Sequence, residues 1–169
     1  MEYLYVGFSS PKKFKIGAAA IKVWQNAPFS HTYIRFESKV SPSVVFHAGH
    51  GMVHFRQFDL FEMENHIVYE FKIPIKSRRD CINDCIARAG DKYGYSELIK
   101  IFAYDICHNL GVKLNFINSD GYICSELVGN ILYNHVGLSF SKPYFLLTPK
   151  DIFLKVSQLN FDKIVIRNI

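Results

Sequence analysis

No window of the 169-residue chain approaches the ~18 consecutive apolar residues that a membrane-spanning helix needs, so no membrane span is expected. The opening segment, Met1-Glu2-Tyr3-Leu4-Tyr5-Val6-Gly7, lacks the basic start and long apolar run of a secretory leader, and a cytoplasmic protein is expected. Cysteine is sparse: Cys81, Cys85, Cys107 and Cys124. Without a leader these read as reduced thiols rather than a disulfide framework. There is no low-complexity tract, no repeat at a fixed period and no glycine-rich phosphate loop, which argues against linkers, solenoids and P-loop nucleotide binding. Charge is not concentrated either. The formal net charge is +5, and the densest basic groups, Lys12-Lys13-Lys15 and Lys76-Arg78-Arg79, are short enough to be solvated faces. No strand interleaves aromatic with basic residues, so no specific nucleic-acid partner is expected.

What the chain has in quantity is apolar and aromatic side chains. At 49% hydrophobic residues against 21% charged, 169 residues are enough for one domain, 1–169, with its own core. The 15 Phe and 10 Tyr either fill that core or line an apolar pocket, and the first reading is preferred.

Period-two and period-3.6 patterning gives an α+β order. Residues 2–8 read as a strand. Ser10 then caps a helix with Pro11 at its first position, running to about Gln25 with Phe14, Ala18, Ile21 and Trp24 inward. Residues 29–36 form a strand that puts His31, Tyr33 and Arg35 on one face and Thr32, Ile34 and Phe36 on the other. Strands at 44–48, 52–55 and 66–73 follow, the last closed by Pro74, and the three make an antiparallel sheet of hairpins. Helices are expected at 78–90, with Ile82, Cys85, Ile86 and Ala89 inward, and at 96–110, stopped by Gly111. A turn, Asn118-Ser119-Asp120-Gly121, leads into a helix beginning near Cys124 and ending near Val136. A short helical turn at Thr148-Pro149-Lys150-Asp151 and a strand at 161–166 close the chain. Segments 37–43, 55–66 and 137–147 read as loops.

The chemistry-bearing candidate is Cys124. A thiol in the first turn of a helix meets unpaired N–H groups and the positive end of the helix dipole, both of which favour thiolate. A nucleophilic cysteine also needs a base and a group to orient that base. His31, at the head of its strand, suits the first role. His47, on what reads as the neighbouring strand, suits the second, since a hairpin brings the two imidazoles side by side. The backbone N–H of Cys124 is a natural donor to an oxyanion. The competing reading is structural: Cys124, Val128, Ile131 and His135 share a helix face, and free cysteine is among the most buried residue types. His47, His50 and His54 have no cysteine or carboxylate nearby at a recognised ligand spacing, so neither a metal nor a cofactor is expected.

Two segments resemble the circularly permuted, NlpC-like (YiiX-like) branch of the papain-fold cysteine peptidases. Phe29-Ser30-His31-Thr32-Tyr33-Ile34 is similar to the family's segment carrying the basic histidine. Tyr122-Ile123-Cys124-Ser125-Glu126-Leu127-Val128 is similar to its nucleophile segment. Histidine precedes cysteine here, as in the permuted branch and opposite to papain. Val45-Phe46-His47-Ala48-Gly49 falls where the family carries its third polar residue. Tyr93-Gly94-Tyr95 and Thr148-Pro149-Lys150-Asp151 resemble weaker family features.

The resemblance implies a papain-like α+β domain, with an antiparallel sheet or half-barrel against helices. It implies an amide hydrolase acting on a peptide or peptidoglycan-type substrate through an acyl-enzyme on Cys124. His31 would be the base and His47 the orienting residue, with Glu70 and Glu126 as spare candidates for the third role. Lecithin:retinol acyltransferase-like proteins share the permuted fold, but their cysteine box differs from this one. That difference counts against acyl transfer to lipid; a thiol esterase or acyltransferase on a lipid or thioester stands as an alternative, as does an inactive binding module of the same fold.

Overall fold

A computed structural model describes residues 2–38, 40–109, 121–159 and 161–164. Among these residues the chain is α+β, with six strands and six helices. The strands are β1 (Glu2–Pro11), β2 (His31–Phe36), β3 (Val44–Gly49), β4 (Met52–Gln57), β5 (Asn65–Ile75) and β6 (Asp162–Ile164). They form one sheet in the order β4-β3-β2-β1-β5-β6, and every neighbouring pair is antiparallel. The helices are α1 (Ile16–Gln25), α2 (Phe58–Glu64), α3 (Arg78–Arg88), α4 (Tyr95–Asn109), α5 (Cys124–Val136) and α6 (Pro149–Ser157), with a short 3-10 turn at Tyr144–Leu146.

The sheet is covered unequally. One face carries the main core, where Leu4, Val6, Phe8, Ile34, Phe36, Phe46 and Phe71 meet Leu127, Val128, Ile131 and Leu132 of α5 and Ile152 and Val156 of α6. The other face carries a smaller cluster, Tyr33, Val45 and Ile67 under Phe61 and Phe58 of α2. The alternation expected of residues 31–36 holds: Tyr33 is on the α2 side, and Ile34 and Phe36 are in the main core.

Beneath the α2 side lies a buried polar network. Arg35 donates from Nε and Nη2 to both oxygens of Glu70, at 2.8 and 2.7 Å, and Tyr33 Oη donates to Glu70 Oε1 at 2.9 Å. Tyr33 and Glu70 both pair with Gly7 from opposite sides of β1. The Tyr33 side chain reaches Glu70 by lying across Gly7, where a Cβ would collide with the phenol ring and its hydroxyl. Glu70 is thereby committed to structure, with its carboxylate consumed by Arg35 and Tyr33, which removes it from the spare candidates for a catalytic third group.

Several local signals yield to tertiary pairing. The Ser10-Pro11 cap signal does not start a helix; β1 continues through Pro11 because Ser9, Ser10 and Pro11 pair with Ile67, His66 and Asn65, and α1 begins only at Ile16. Phe14 accordingly stands outside the helix and is 83% exposed rather than inward. The expected loop at 55–66 contains the end of β4, α2 and the start of β5, and β5 passes through Pro74 to Ile75. In α3, Cys81 and Cys85 are fully buried but Ile86 faces solvent. Asn118, Ser119, Asp120, the Gly111 stop and residues 165–166 of the last strand lie outside the described residues.

Candidate active site

Three contacts fix where α5 begins. Tyr122, two residues before the helix, bridges in parallel to Tyr93; its N–H donates to Lys92 O (2.9 Å) and its carbonyl accepts from Gly94 N–H (3.0 Å). Arg88 of α3 donates to Tyr122 Oη at 2.9 Å. Farther along, Asp84 of α3 accepts from Asn134 at 3.2 Å and pairs with His135 Nε2 at 3.1 Å, tying the other end of α5 to the same helix. The N-cap residue is Ile123, which has no side-chain cap, so the first-turn amides are not consumed by a capping group.

Cys124 uses those amides. The backbone N–H groups of Thr32, Ser125 and Cys124 itself hydrogen-bond the sulfur and favour thiolate. Burial acts the other way and wins: the residue is 6% exposed, and the thiol is pushed up to about 11. The helix-start amides act in the expected direction, towards thiolate, but do not set the balance. The amides are present, but the desolvation of a buried sulfur exceeds them. Ser125, the next residue, is buried and its hydroxyl donates to the Leu147 carbonyl, locking the first turn of α5 onto the 3-10 segment.

His31 and His47 meet directly, His31 Nε2 to His47 Nδ1 at 3.1 Å. The β2–β3 register pairs Ile34 with Phe46. Continued by alternation, it sets Tyr33 opposite His47, so the imidazoles are diagonal neighbours across the two strands rather than directly opposed. The β1–β5 pairing slips between Phe8 and Ser9, and Ser9 is the residue of β1 paired with His31. The irregularity therefore lies directly behind the candidate base, a common place for a bulge that re-aims a side chain. Gly49 leaves room for the pair: a Cβ there would come within 3.0 Å of His47 Nδ1 and Cε1.

Both rings are held neutral. Burial lowers His31 to about 4, helped by the fields of His50, His54 and Lys15. Burial first, then His31, His54 and His50, hold His47 well below the usual imidazole range. The His54 ring packs 4.5 Å from His47, and Phe61 packs on it from the α2 side at 5.1 Å.

The structure thus joins His31 to His47 and brings Cys124 to the backbone of Thr32, the residue after His31. Among the described residues it records no hydrogen bond between the thiol and the imidazole. The two groups open into adjoining spaces. Cys124 lines a narrow, mostly apolar slot of ≈ 20 Å³, about the room of one water. His31 and His47 line a cleft of ≈ 420 Å³ that also takes in Lys15, His50 and Asn65. Ile21 of α1, Ser30, Tyr93 and Leu98 of α4 line both.

Sequence reasoning passed over Gln25. It is 5% exposed and lines the Cys124 slot. Its Oε1 accepts the Lys150 backbone N–H at 2.9 Å, which fixes the orientation of the amide, because only the oxygen can receive that proton. Nε2 is left buried with no hydrogen-bond partner. Nothing in the sequence marks this residue: it is a helix-end glutamine whose role depends on α6 arriving from 125 positions away. Glu126, in the first turn of α5, is half-buried.

No protein-family model matches the chain, and no curated protein matches it closely enough to count as a relative.

Proposed function

We propose that the chain is a cysteine-dependent acyl hydrolase of the permuted papain-like type, acting on an amide bond of a peptide or peptidoglycan-type substrate. The observation that carries the reading is the position of Cys124. It stands at an uncapped helix start, with amides from α5 and from the β2 residue after His31 directed at one sulfur. The His31–His47 hydrogen bond supports it, because it occupies Nε2 of His31 and leaves Nδ1 as the nitrogen for a thiol proton.

In this reading the Cys124 sulfur attacks the acyl carbon as its proton passes to His31 Nδ1. The tetrahedral oxyanion is held by the Cys124 N–H and Gln25 Nε2, and the leaving amine takes the proton back from His31. Water then releases the acyl group from sulfur, with His31 again as base. His47, accepting from His31 Nε2–H at Nδ1, keeps the base-competent tautomer. The thiol and imidazole are both neutral at rest, so proton transfer accompanies attack instead of preceding it.

One observation favours a second reading, a module of the same fold without turnover: the thiol and the imidazole open to different cavities. The two separate on treatment with p-nitrophenyl acetate, followed by mass mapping of the cysteines. A hydrolase acetylates at Cys124, loses roughly 100-fold or more in rate in His31→Ala, and keeps most of it in His47→Asn, whose amide oxygen can still accept from His31. Acetylation spread over the cysteines without preference, or untouched by His31→Ala, would establish the inert module.

A further inference from the structure

Helix α1 is apolar on two faces. At 100° per residue, Ala18, Ile21 and Gln25 point inward, and Trp24 stacks on Phe102 of α4 with ring centroids 4.2 Å apart. The opposite direction is taken by Ile16, Ala20 and Val23, at i, i+4 and i+7. Ile16 is 78% and Val23 81% exposed, and Phe14, just before the helix, is 83% exposed. A surface helix ordinarily puts charge on that side. Here the charge stands at the flanks, on exposed Lys12, Lys13 and Lys15 and on Lys22. No aspartate or glutamate occurs between Glu2 and Glu37.

We propose that this face of α1, with Phe14, docks on an anionic lipid surface. An apolar stripe bordered by lysines, whose acidic neighbour in space, Glu64 beside Lys12 and Lys15, is already paired with Arg56, is the pattern of a helix that lies in a membrane interface. A second copy of the chain is disfavoured, since the same patch on a partner would set lysines against lysines. A specific protein partner is disfavoured by size, because three large side chains on one convex helix fall short of the ~800 Å² per side of a stable interface. Lipid asks for no complementary pocket. The location has a consequence: Lys15, Gly17, Ala18 and Ile21 line the histidine cleft, so the docked helix sets the mouth of that cleft at the lipid surface. The proposal does not rest on the hydrolase reading.

The test is co-sedimentation of the full chain with vesicles of phosphatidylcholine alone and with about one-third phosphatidylglycerol. Binding is expected only to the anionic vesicles, weakening as salt rises. Each lysine near the surface contributes roughly fivefold, so Lys12→Glu with Lys13→Glu should lower binding by well over tenfold. Phe14→Gln, Ile16→Gln and Val23→Gln together should abolish it, with Tm little changed, because all three side chains are in solvent and glutamine is a good helix former. The proposal is overturned by any of three results: no binding to anionic vesicles, equal binding to neutral and anionic vesicles, or full binding by the triple variant. It is likewise overturned if the wild-type chain is a dimer in solution that the triple variant makes monomeric, since the face would then be a self-interface.

Discussion

The protonation state of Cys124 decides what kind of cysteine chemistry the site supports, and it can be read by alkylation across pH. A thiol held at about 11 is roughly one part in ten thousand thiolate at neutral pH, against about three in a hundred for an ordinary cysteine near 8.5. Iodoacetamide should therefore label Cys124 about 300 times more slowly than an exposed cysteine at pH 7, before any steric hindrance in the slot. The rate should climb about tenfold per pH unit from pH ~6 to pH ~10, with no plateau. His31→Ala should change this profile little, because His31 is itself held to about 4 and carries no charge that could draw the proton off sulfur at neutral pH. Peptide mapping after timed quenching gives the rate at each of the four cysteines. The half-buried Cys107 serves as an internal reference, and the fully buried Cys81 and Cys85 as blanks. A flat rate through neutral pH, faster at Cys124 than at Cys107 and lost in His31→Ala, is the signature of a preformed thiolate–imidazolium pair. That outcome would refute the argument that burial outweighs the helix-start amides.

Two further expectations follow from the same geometry. Gln25→Ala should slow acetylation of Cys124 by p-nitrophenyl acetate by about 100-fold, yet leave iodoacetamide labelling within a few-fold, because only acyl transfer develops an oxyanion for Nε2 to hold; an equal effect on both reactions would make Gln25 a packing residue. Acid should destabilise the fold well above the range where carboxylates titrate: the unfolded chain protonates His31 near 6.5, while the folded one resists to about 4, so the unfolded state binds more protons and stability falls as pH drops. Between about pH 6.5 and pH 5 the loss should be about 1.6 kcal/mol from His31 alone, with His47 adding in the same direction, and denaturant unfolding that shows no slope in that window would contradict it.

Much of the sheet was legible because its signals are local. Strict alternation over 31–36 placed His31, Tyr33 and Arg35 together, and apolar runs broken by Gly49-His50-Gly51 and Ser41-Pro42-Ser43 marked the hairpins. What was not legible depended on partners distant in sequence. Ser10-Pro11 has a good helix-start signature, but ten residues of β1 pair with β5 and take those positions into a strand. Glu70 looked available as a third catalytic group. Its commitment to Arg35 and Tyr33 appears only once β1 lies between β2 and β5, with a glycine at the crossing point. A sequence shows that Gly7 lacks a side chain, but not that a tyrosine ring occupies the space.

The candidate site divides along the same line. Cys124 at a helix start, and His31 and His47 on neighbouring strands, could be picked out because each lies in a segment with its own pattern. The balance of forces at the sulfur could not, because burial is a property of α1, Tyr93 and α4 closing over the slot, and none of them is near Cys124 in sequence. Ile21 lines both the Cys124 slot and the histidine cleft, and it belongs to the helix whose outer stripe of Ile16, Ala20 and Val23 faces solvent.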